Sequence, residues 1–417
     1  MKDDMEVLMK SIYRIVVFFA AFFMIGCGRE VEVPQNSGSE VVEIEFFNSK
    51  KETQEIMNYL IGEFEQEYPN IRVNHNTSVG GYQTLLSRFA SNNVPDVFIQ
   101  WPNATWRKQV EEGFVLELTE YEFMNRVDPK VRQEYQINGN DYILPLTYST
   151  SGVYYNVDIY EELGLTIPQD FDALINNAEM IERAGIRPFL FMGKEHLSLQ
   201  QQWYALLPSM DNYDAFIEAS IAGNISNYKK ELIELTQQFS QLVSYGQENM
   251  MQTTNDQAVY DFAQGKSAML IMGSWKIPWI KQINPDINFA MFPIPKQNEV
   301  AEYVPAFAGD FSLCVSSRTQ KKEAALLFLE FISRAENMEY FCLNDGSVPV
   351  ITGVDVYIPE LSLHKKYLRE GKYRTNADAN WSSQTNERLA EEIQLLLLTK
   401  DQDRFIEAMI QIFEESQ

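Results

Sequence analysis

Histidine and cysteine are scarce in this 417-residue chain, with three of each. His75, His196 and His364 lie far apart, no Cys-x-x-Cys occurs, and no Cys/His cluster has metal-ligand spacing, so no metal is expected. Gly-x-Ser-x-Gly and His-Glu-x-x-His are absent too, which removes the usual serine-hydrolase and zinc-hydrolase signatures. Basic residues are few: 34 Lys and Arg stand against 59 Asp and Glu, a formal charge of -25. Phosphate backbones select basic surfaces, so nucleic acid is excluded as a partner. Gly265-Lys266-Ser267 looks like the end of a phosphate loop, but Tyr260 stands where that loop needs its first glycine, and the preceding residues read as helix. Gly265 fits a left-handed helix cap better, and no cofactor motif is found.

What the chain does have begins at its N-terminus. The apolar run from Ile15 to Ile25 is short for a bilayer span and ends in Met24-Ile25-Gly26-Cys27, which resembles the lipobox of a bacterial lipoprotein signal peptide. The resemblance implies a signal over residues 1–26, lipidation of Cys27, and a protein anchored by lipid on the outer face of the cytoplasmic membrane. An uncleaved anchor is the alternative. Asp3, Asp4 and Glu6 are out of place in a signal, which leaves Met1 and Met9 both open as the start of translation. Residues 27–40 are polar, hold Pro, Asn, Ser and Gly, and read as a flexible tether.

The body from Val41 onward, roughly 375 residues, exceeds one ordinary core and predicts two lobes. Val42–Phe47 alternates with period two, Thr53–Phe64 reads as a helix, Ile71–His75 as a strand, Gly81–Ala90 as a helix and Asp96–Gln100 as a buried strand. That β-α-β-α-β order predicts an α/β protein with mostly parallel sheets flanked by helices. Two strands, around Tyr142–Pro145 and Gly152–Asn156, are expected to be joined through a Ser/Thr stretch and to cross between lobes. Helices follow over 169–184, 199–207 and 229–245, from Thr319 and from Asn386 to Glu415, and residues 293–311 are expected to carry the chain back. The expected division is 41–147 with 306–350 in one lobe and 148–305 with 351–417 in the other. Cys314 and Cys342 stand in apolar stretches and are read either as buried thiols or as a disulfide.

Asp256–Trp275, DQAVYDFAQGKSAMLIMGSW, resembles the signature of extracellular solute-binding proteins of ABC importers, of the type that mostly binds sugars and oligosaccharides. Phe262, Gly265, Lys266, Ala268, Met269, Gly273 and Trp275 carry the match. PDVFIQW, SGVYYNVDIYEELGL and GDFSLCVSSRTQKKEAALLFLEFI agree in order along the chain. The resemblance implies a two-lobe periplasmic-binding-protein-like fold with a ligand cleft at the hinge, and a monomer without cofactor or catalytic activity. It also implies a carbohydrate ligand and a membrane permease as partner. A peptide ligand, or a secreted carbohydrate-active enzyme using two of the many carboxylates, remains open on the residues alone.

Sugars offer an apolar ring face and a rim of hydroxyls, so a site needs aromatic platforms beside fixed polar groups. By the resemblance, Trp275 is the first platform; Trp101, after a buried strand, and Trp381, in a polar loop, are further candidates. Ligands of parallel sheets sit at the carboxyl ends of the strands, which selects Asn48, Gln100 and Asn103. Asp310 opens a strand facing the cleft, and Tyr148 and Ser151 lie at the crossing between lobes. Lys50 and Lys51 are read as a pair for an acidic sugar or as a solvated helix start, and Asp96 as a structural brace. Hinges are expected near Tyr148–Gly152 and Pro305–Gly309.

Overall fold

The computed structural model describes residues 41–78 and 80–416. The lipobox, Cys27 and the tether lie outside them. β1 (Val42–Phe47), β2 (Ile71–Asn76) and β3 (Val97–Ile99) form as expected, and β1 pairs in parallel with both neighbours. Helices Gln54–Glu67 and Gly81–Ala90 make the crossovers. The first buries Ile56, Met57, Leu60, Ile61 and Phe64, the stripe that helical periodicity places on one face.

The crossing region differs from expectation. Instead of two strands there is one 13-residue strand, β4 (Leu144–Asn156). Thr147, Ser149 and Thr150 are buried within it; the Phe311 amide donates to Thr147 Oγ1 at 3.2 Å and the Thr150 amide to Ser274 Oγ at 3.3 Å. β-branched threonine suits an extended chain and Thr147 Oγ1 has a partner, so the stretch continues the strand rather than turning it, with Thr150 Oγ1 buried without a hydrogen-bond partner.

The remaining strands are β5 (Arg187–Leu190), β6 (Ser267–Gly273), β7 (Phe289–Phe292), β8 (Val304–Val315), β9 (Val348–Pro349) and β10 (Tyr373–Thr375). Their order is β2-β1-β3-β8-β4-β6-β5, with β7 and β9 beside β4 and β10 beside β8. The sheet is mixed, because the two long strands β4 and β8 run antiparallel to each other, and β8 also to β3. Leu144–Thr150 of β4 pair with β8, whereas Ser151–Asn156 pair with β6 and β7, and the register slips on either side of Thr147. β4 thus leaves one lobe and enters the other.

Two cores follow. In the first, Phe328 of helix Lys322–Ile332 meets Phe46 and Phe64 at ring distances of 5.4 and 5.2 Å. In the second, Trp203 packs on Phe405 at 5.8 Å and Trp381 on Phe413 at 4.9 Å. The helical pattern from Asn386 resolves into helices Ser383–Thr399 and Gln402–Glu414, parted where Lys400 takes φ 57°. The pattern from Thr319 likewise divides into Lys322–Ile332 and Ala335–Asp345. Cys314 and Cys342 are free, buried thiols and do not pair. Gly265 adopts φ 69° after helix Asn255–Ala263, the expected cap, and leads into β6.

Candidate ligand-binding cleft

The chain ends of β1 and β3 and the midpoint of β8 open onto one cavity of about 400 Å³. Lys50, Glu52, Trp101 and Asn103 line it from the loops after β1 and β3, with Tyr82 and Gln83 from helix Gly81–Ala90. Ser149 of β4, Phe307 and Asp310 of β8 and Trp275 after β6 form its back. Leu197, Gln200 and Gln201 of helix His196–Tyr204 face them, with Asn376, Ala379, Ser383, Asn386 and Glu387.

Trp101 is fixed from three sides. Its indole Nε1 donates to the Asp310 carbonyl at 3.1 Å, its amide donates to Gln100 Oε1 at 3.0 Å, and its ring meets Tyr82 edge-on at 4.9 Å. The adjoining Pro102 lies so close to Gly309 that a Cβ there would come within 2.4 Å of the proline ring, which is why β8 carries glycine at this point. Trp275 is held differently. A Cβ on Gly273 would fall 2.0 Å from its Cη2 and Cζ3 atoms, so the indole lies flat against the bare backbone of the strand end. The spacing of Gly273 and Trp275 therefore has a steric meaning: the ring occupies the volume a side chain would take.

Lys50 and Asp310 form the polar floor. Lys50 Nζ donates to Asp310 Oδ2 at 2.6 Å, with Glu52 Oε1 at 3.7 Å, and the lysine is only 5 % exposed. Burial works to lower the lysine's proton affinity, but Asp310, Asp345 and Glu52 outweigh it, and the net shift is upward. Lys50 is therefore not a solvated helix start; it lines the cavity with its charge already paired to Asp310. Burial pushes the Tyr82 hydroxyl up to about 12, so it is neutral in the cleft.

Of the residues singled out from the sequence, Trp275, Trp101, Asp310 and Asn103 line the cavity. Asn103 also caps helix Ala104–Glu111, its Oδ1 accepting from the Trp106 amide at 3.0 Å. Asn48 and Gln100 are fully buried beneath the lining instead. Asn48 Oδ1 accepts from the Lys50 amide at 2.9 Å while its Nδ2 reaches Thr53 Oγ1 and His75 Nε2, both at 3.1 Å. Gln100 pairs with Gln109 and with the Trp101 amide. Both amides support the loops that present Lys50 and Trp101. Tyr148 stands edge-on to Tyr373 at 5.5 Å, and the carbonyl of Ser151 faces His364 Nε2 at 3.4 Å; neither lines the cavity.

Trp381 is a clear correction. It is 4 % exposed in the second core, its Nε1 donates to Ser220 Oγ at 2.7 Å, and Tyr204 and Phe413 close on its ring. Asp96 is the expected brace, accepting from the Glu45 amide at 2.8 Å, Thr319 Oγ1 at 2.5 Å and Lys321 Nζ at 3.1 Å. Tyr82 and Gln83 went unnoticed in the sequence, although the carboxyl-end rule applied to β2 points toward them.

The family model for bacterial extracellular solute-binding protein matches residues 49–339. A multiple sugar-binding protein of Streptococcus mutans is 29% identical over 325 residues, covering 76% of this chain and 77% of the relative. The melibiose/raffinose/stachyose-binding protein MelE of Bacillus subtilis is 22% identical over 346 residues, 78% of each chain. Among solved structures, the SBP RafE in complex with raffinose superposes with a TM-score of 0.82 at 24% identity, over 90% of this chain and 99% of that one. The apo-form of RafE from Streptococcus pneumoniae gives 0.77 at 24% identity, over 91% and 99%. These likenesses carry the same two-lobe arrangement, and the chain belongs to the family of bacterial extracellular solute-binding proteins.

Proposed function

We propose that the protein captures a neutral oligosaccharide in the cleft between its lobes and delivers it to an ABC import permease. The observation that carries this reading is the pairing of two supported indoles, Trp101 and Trp275, with a buried polar floor of Lys50 and Asp310 in one cavity. Indole faces suit the apolar faces of sugar rings, and the floor offers both acceptors and donors for hydroxyls. The names of the relatives, a multiple sugar-binding protein and a melibiose/raffinose/stachyose-binding protein, favour the same ligand class. The protein binds and does not transform its ligand.

Lining residues come from both sides of the long strands, so a ligand touching both lobes selects the closed form. β4 around Tyr148–Gly152, where the register slips, and β8 around Pro305–Gly309 serve as hinges. The lobes divide as 41–147 with 306–350 and 148–305 with 351–417. Cys27 is the lipidated residue that anchors a monomer on the outer face of the membrane.

Isothermal titration of the purified protein with mono-, di-, tri- and tetrasaccharides tests the proposal, with phosphate and peptides as comparison ligands. Saturable binding of one oligosaccharide series, lost in Trp275→Ala and Trp101→Ala, is expected. Binding of peptides or anions in place of every sugar would overturn the ligand class.

A further inference from the structure

The short strand β10 reaches both cores from beside the cleft. It pairs with β8 at Val304–Ala306, where the chain enters the hinge region. Successive side chains of a strand point to opposite faces, and the two faces of β10 have different partners. Arg374, a buried side chain, points to the second core: its Nη1 donates to the Pro208 and Met210 carbonyls at 2.5 and 2.7 Å, and its guanidinium lies 4.3 Å from the centre of the Tyr303 ring. Tyr373 and Thr375 point to the first lobe. Thr375 Oγ1 donates to Glu134 Oε1 at 3.0 Å and the Tyr373 hydroxyl to Glu134 Oε2 at 3.4 Å, while Lys130 Nζ lies 4.8 Å over the Tyr373 ring and Tyr148 of β4 meets that ring edge-on. Lys130 and Glu134 belong to helix Pro129–Glu134. Val131, buried in the first core, and Arg132, bonded to Asp141 at 2.6 Å, already fix that helix to the first lobe. Directly after Thr375 comes Asn376, which lines the cavity and whose amide donates to the Ala306 carbonyl at 3.2 Å.

We infer, on the carbohydrate reading of the cleft, that Glu134 is a positioning residue for ligand capture: a latch that grips β10 across the lobes and so holds Asn376 against the ligand. In the arrangement described, residues of both lobes line one cavity, so this is the arrangement in which a ligand touches both. The Glu134 contacts belong to it. A hydrogen bond at 3.0 Å is lost once donor and acceptor part by about 1 Å, so a small rotation of the lobes about β4 and β8 breaks the grip on Thr375. Glu134 is not needed to hold its own helix, which Val131 and Arg132 anchor, and its carboxylate spends both oxygens on the other lobe. Hydroxyl bonds to a carboxylate are stronger than those between neutral groups, and bonds made only in the closed form raise its population. Release of the ligand requires the latch to open, whereas encounter does not, so the latch acts on the dissociation rate.

Stopped-flow tryptophan fluorescence of the full protein with raffinose tests this, with the cleft indoles Trp101 and Trp275 as reporters; the tightest binder of the titration series replaces raffinose if raffinose does not bind. Glu134→Ala and Thr375→Val should each speed release about tenfold, with association within about twofold of the wild type. The double variant should release no faster than Glu134→Ala, because both changes remove the same contact. Glu134→Gln keeps an oxygen that accepts from Thr375 and should recover part of the residence time. A brace needed only for local folding would lower the melting temperature and leave these rates unchanged in the folded protein. Should Glu134→Ala fold poorly, Thr375→Val reads the contact with the carboxylate in place. Wild-type release rates in both single variants, additive effects in the double variant, or a loss confined to association overturns the latch alone. A protein that binds no sugar refutes the carbohydrate reading, and the latch with it.

Discussion

Gly273→Ala is the substitution that best probes how the cleft is built, because it touches no ligand yet acts on Trp275. The new Cβ would lie 2.0 Å from Cη2 and Cζ3 and 2.4 Å from Cε3 of the indole. Ordinary carbon contacts begin near 3.5 Å, so the ring must retreat by about 1.5 Å as a rigid plane. The strand cannot give way as easily. Gly273 is paired with Ser151 in the ladder, and its carbonyl accepts from the buried Tyr154 hydroxyl at 2.7 Å. Its backbone is extended, φ -87° and ψ 155°, so alanine is not strained there and the protein folds. The displaced ring loses its stacking geometry and part of its apolar contact with the ligand, about 2 kcal/mol together, or roughly a 30-fold rise in Kd. Isothermal titration with the best oligosaccharide reads this, and a double-mutant cycle with Trp275→Ala isolates it. With the indole gone the three atoms nearest the new Cβ are gone too, so Gly273→Ala adds little further loss in that background. Unchanged affinity in the single variant, or an equal loss with and without the indole, refutes the reasoning.

Three stability measurements follow from the same structure. His364 is buried with no partner for Nδ1, and burial lowers its proton affinity to about 4; the unfolded chain takes up a proton from about pH 6.5 downward while the folded one does not. Stability is therefore lost as pH falls from about 6.5 to 4, by about 3 kcal/mol, and urea unfolding of His364→Gln at pH 7.5 and 4.5 should show a shallower slope. Asp345 has the opposite sign: raised to about 6, it contributes stability below its unfolded value near 3.9 and loses it as pH rises through 6. Asp345→Asn should accordingly melt higher than the wild type at pH 8, by at most about 3 kcal/mol, and lose that advantage at pH 4. Trp381→Ala should lower unfolding free energy by about 3 to 5 kcal/mol yet leave ligand affinity in the surviving folded protein nearly unchanged, the reverse of Trp275→Ala.

How far the site was legible in the sequence depends on how local its reasons are. β1, β2, β3 and their helices follow from alternation and helical periodicity within a few residues, and they were readable; the match over Asp256–Trp275 marked the platform for the same reason. Asn48 and Gln100 were misplaced by one step of chain geometry. Each is the first residue after a strand, where the turning backbone leaves amides unpaired, and each uses its side chain to satisfy one, at Lys50 and Trp101. The cavity-lining positions are therefore the residues those amides belong to, and a reading of strand ends in such folds should look past the first polar side chain. Lys50 and Trp381 failed for the other reason. Lys50 looks solvated until Asp310, 260 residues away, pairs with it, and Trp381 looks stranded in a polar loop until Ser220, 161 residues away, accepts its indole hydrogen bond. A polar neighbourhood in sequence says only that a buried ring or charge needs a partner; which surface supplies it is decided by the tertiary fold, which brings β8 to the loop after β1 and helix Tyr213–Ile221 to the loop before helix Ser383–Thr399.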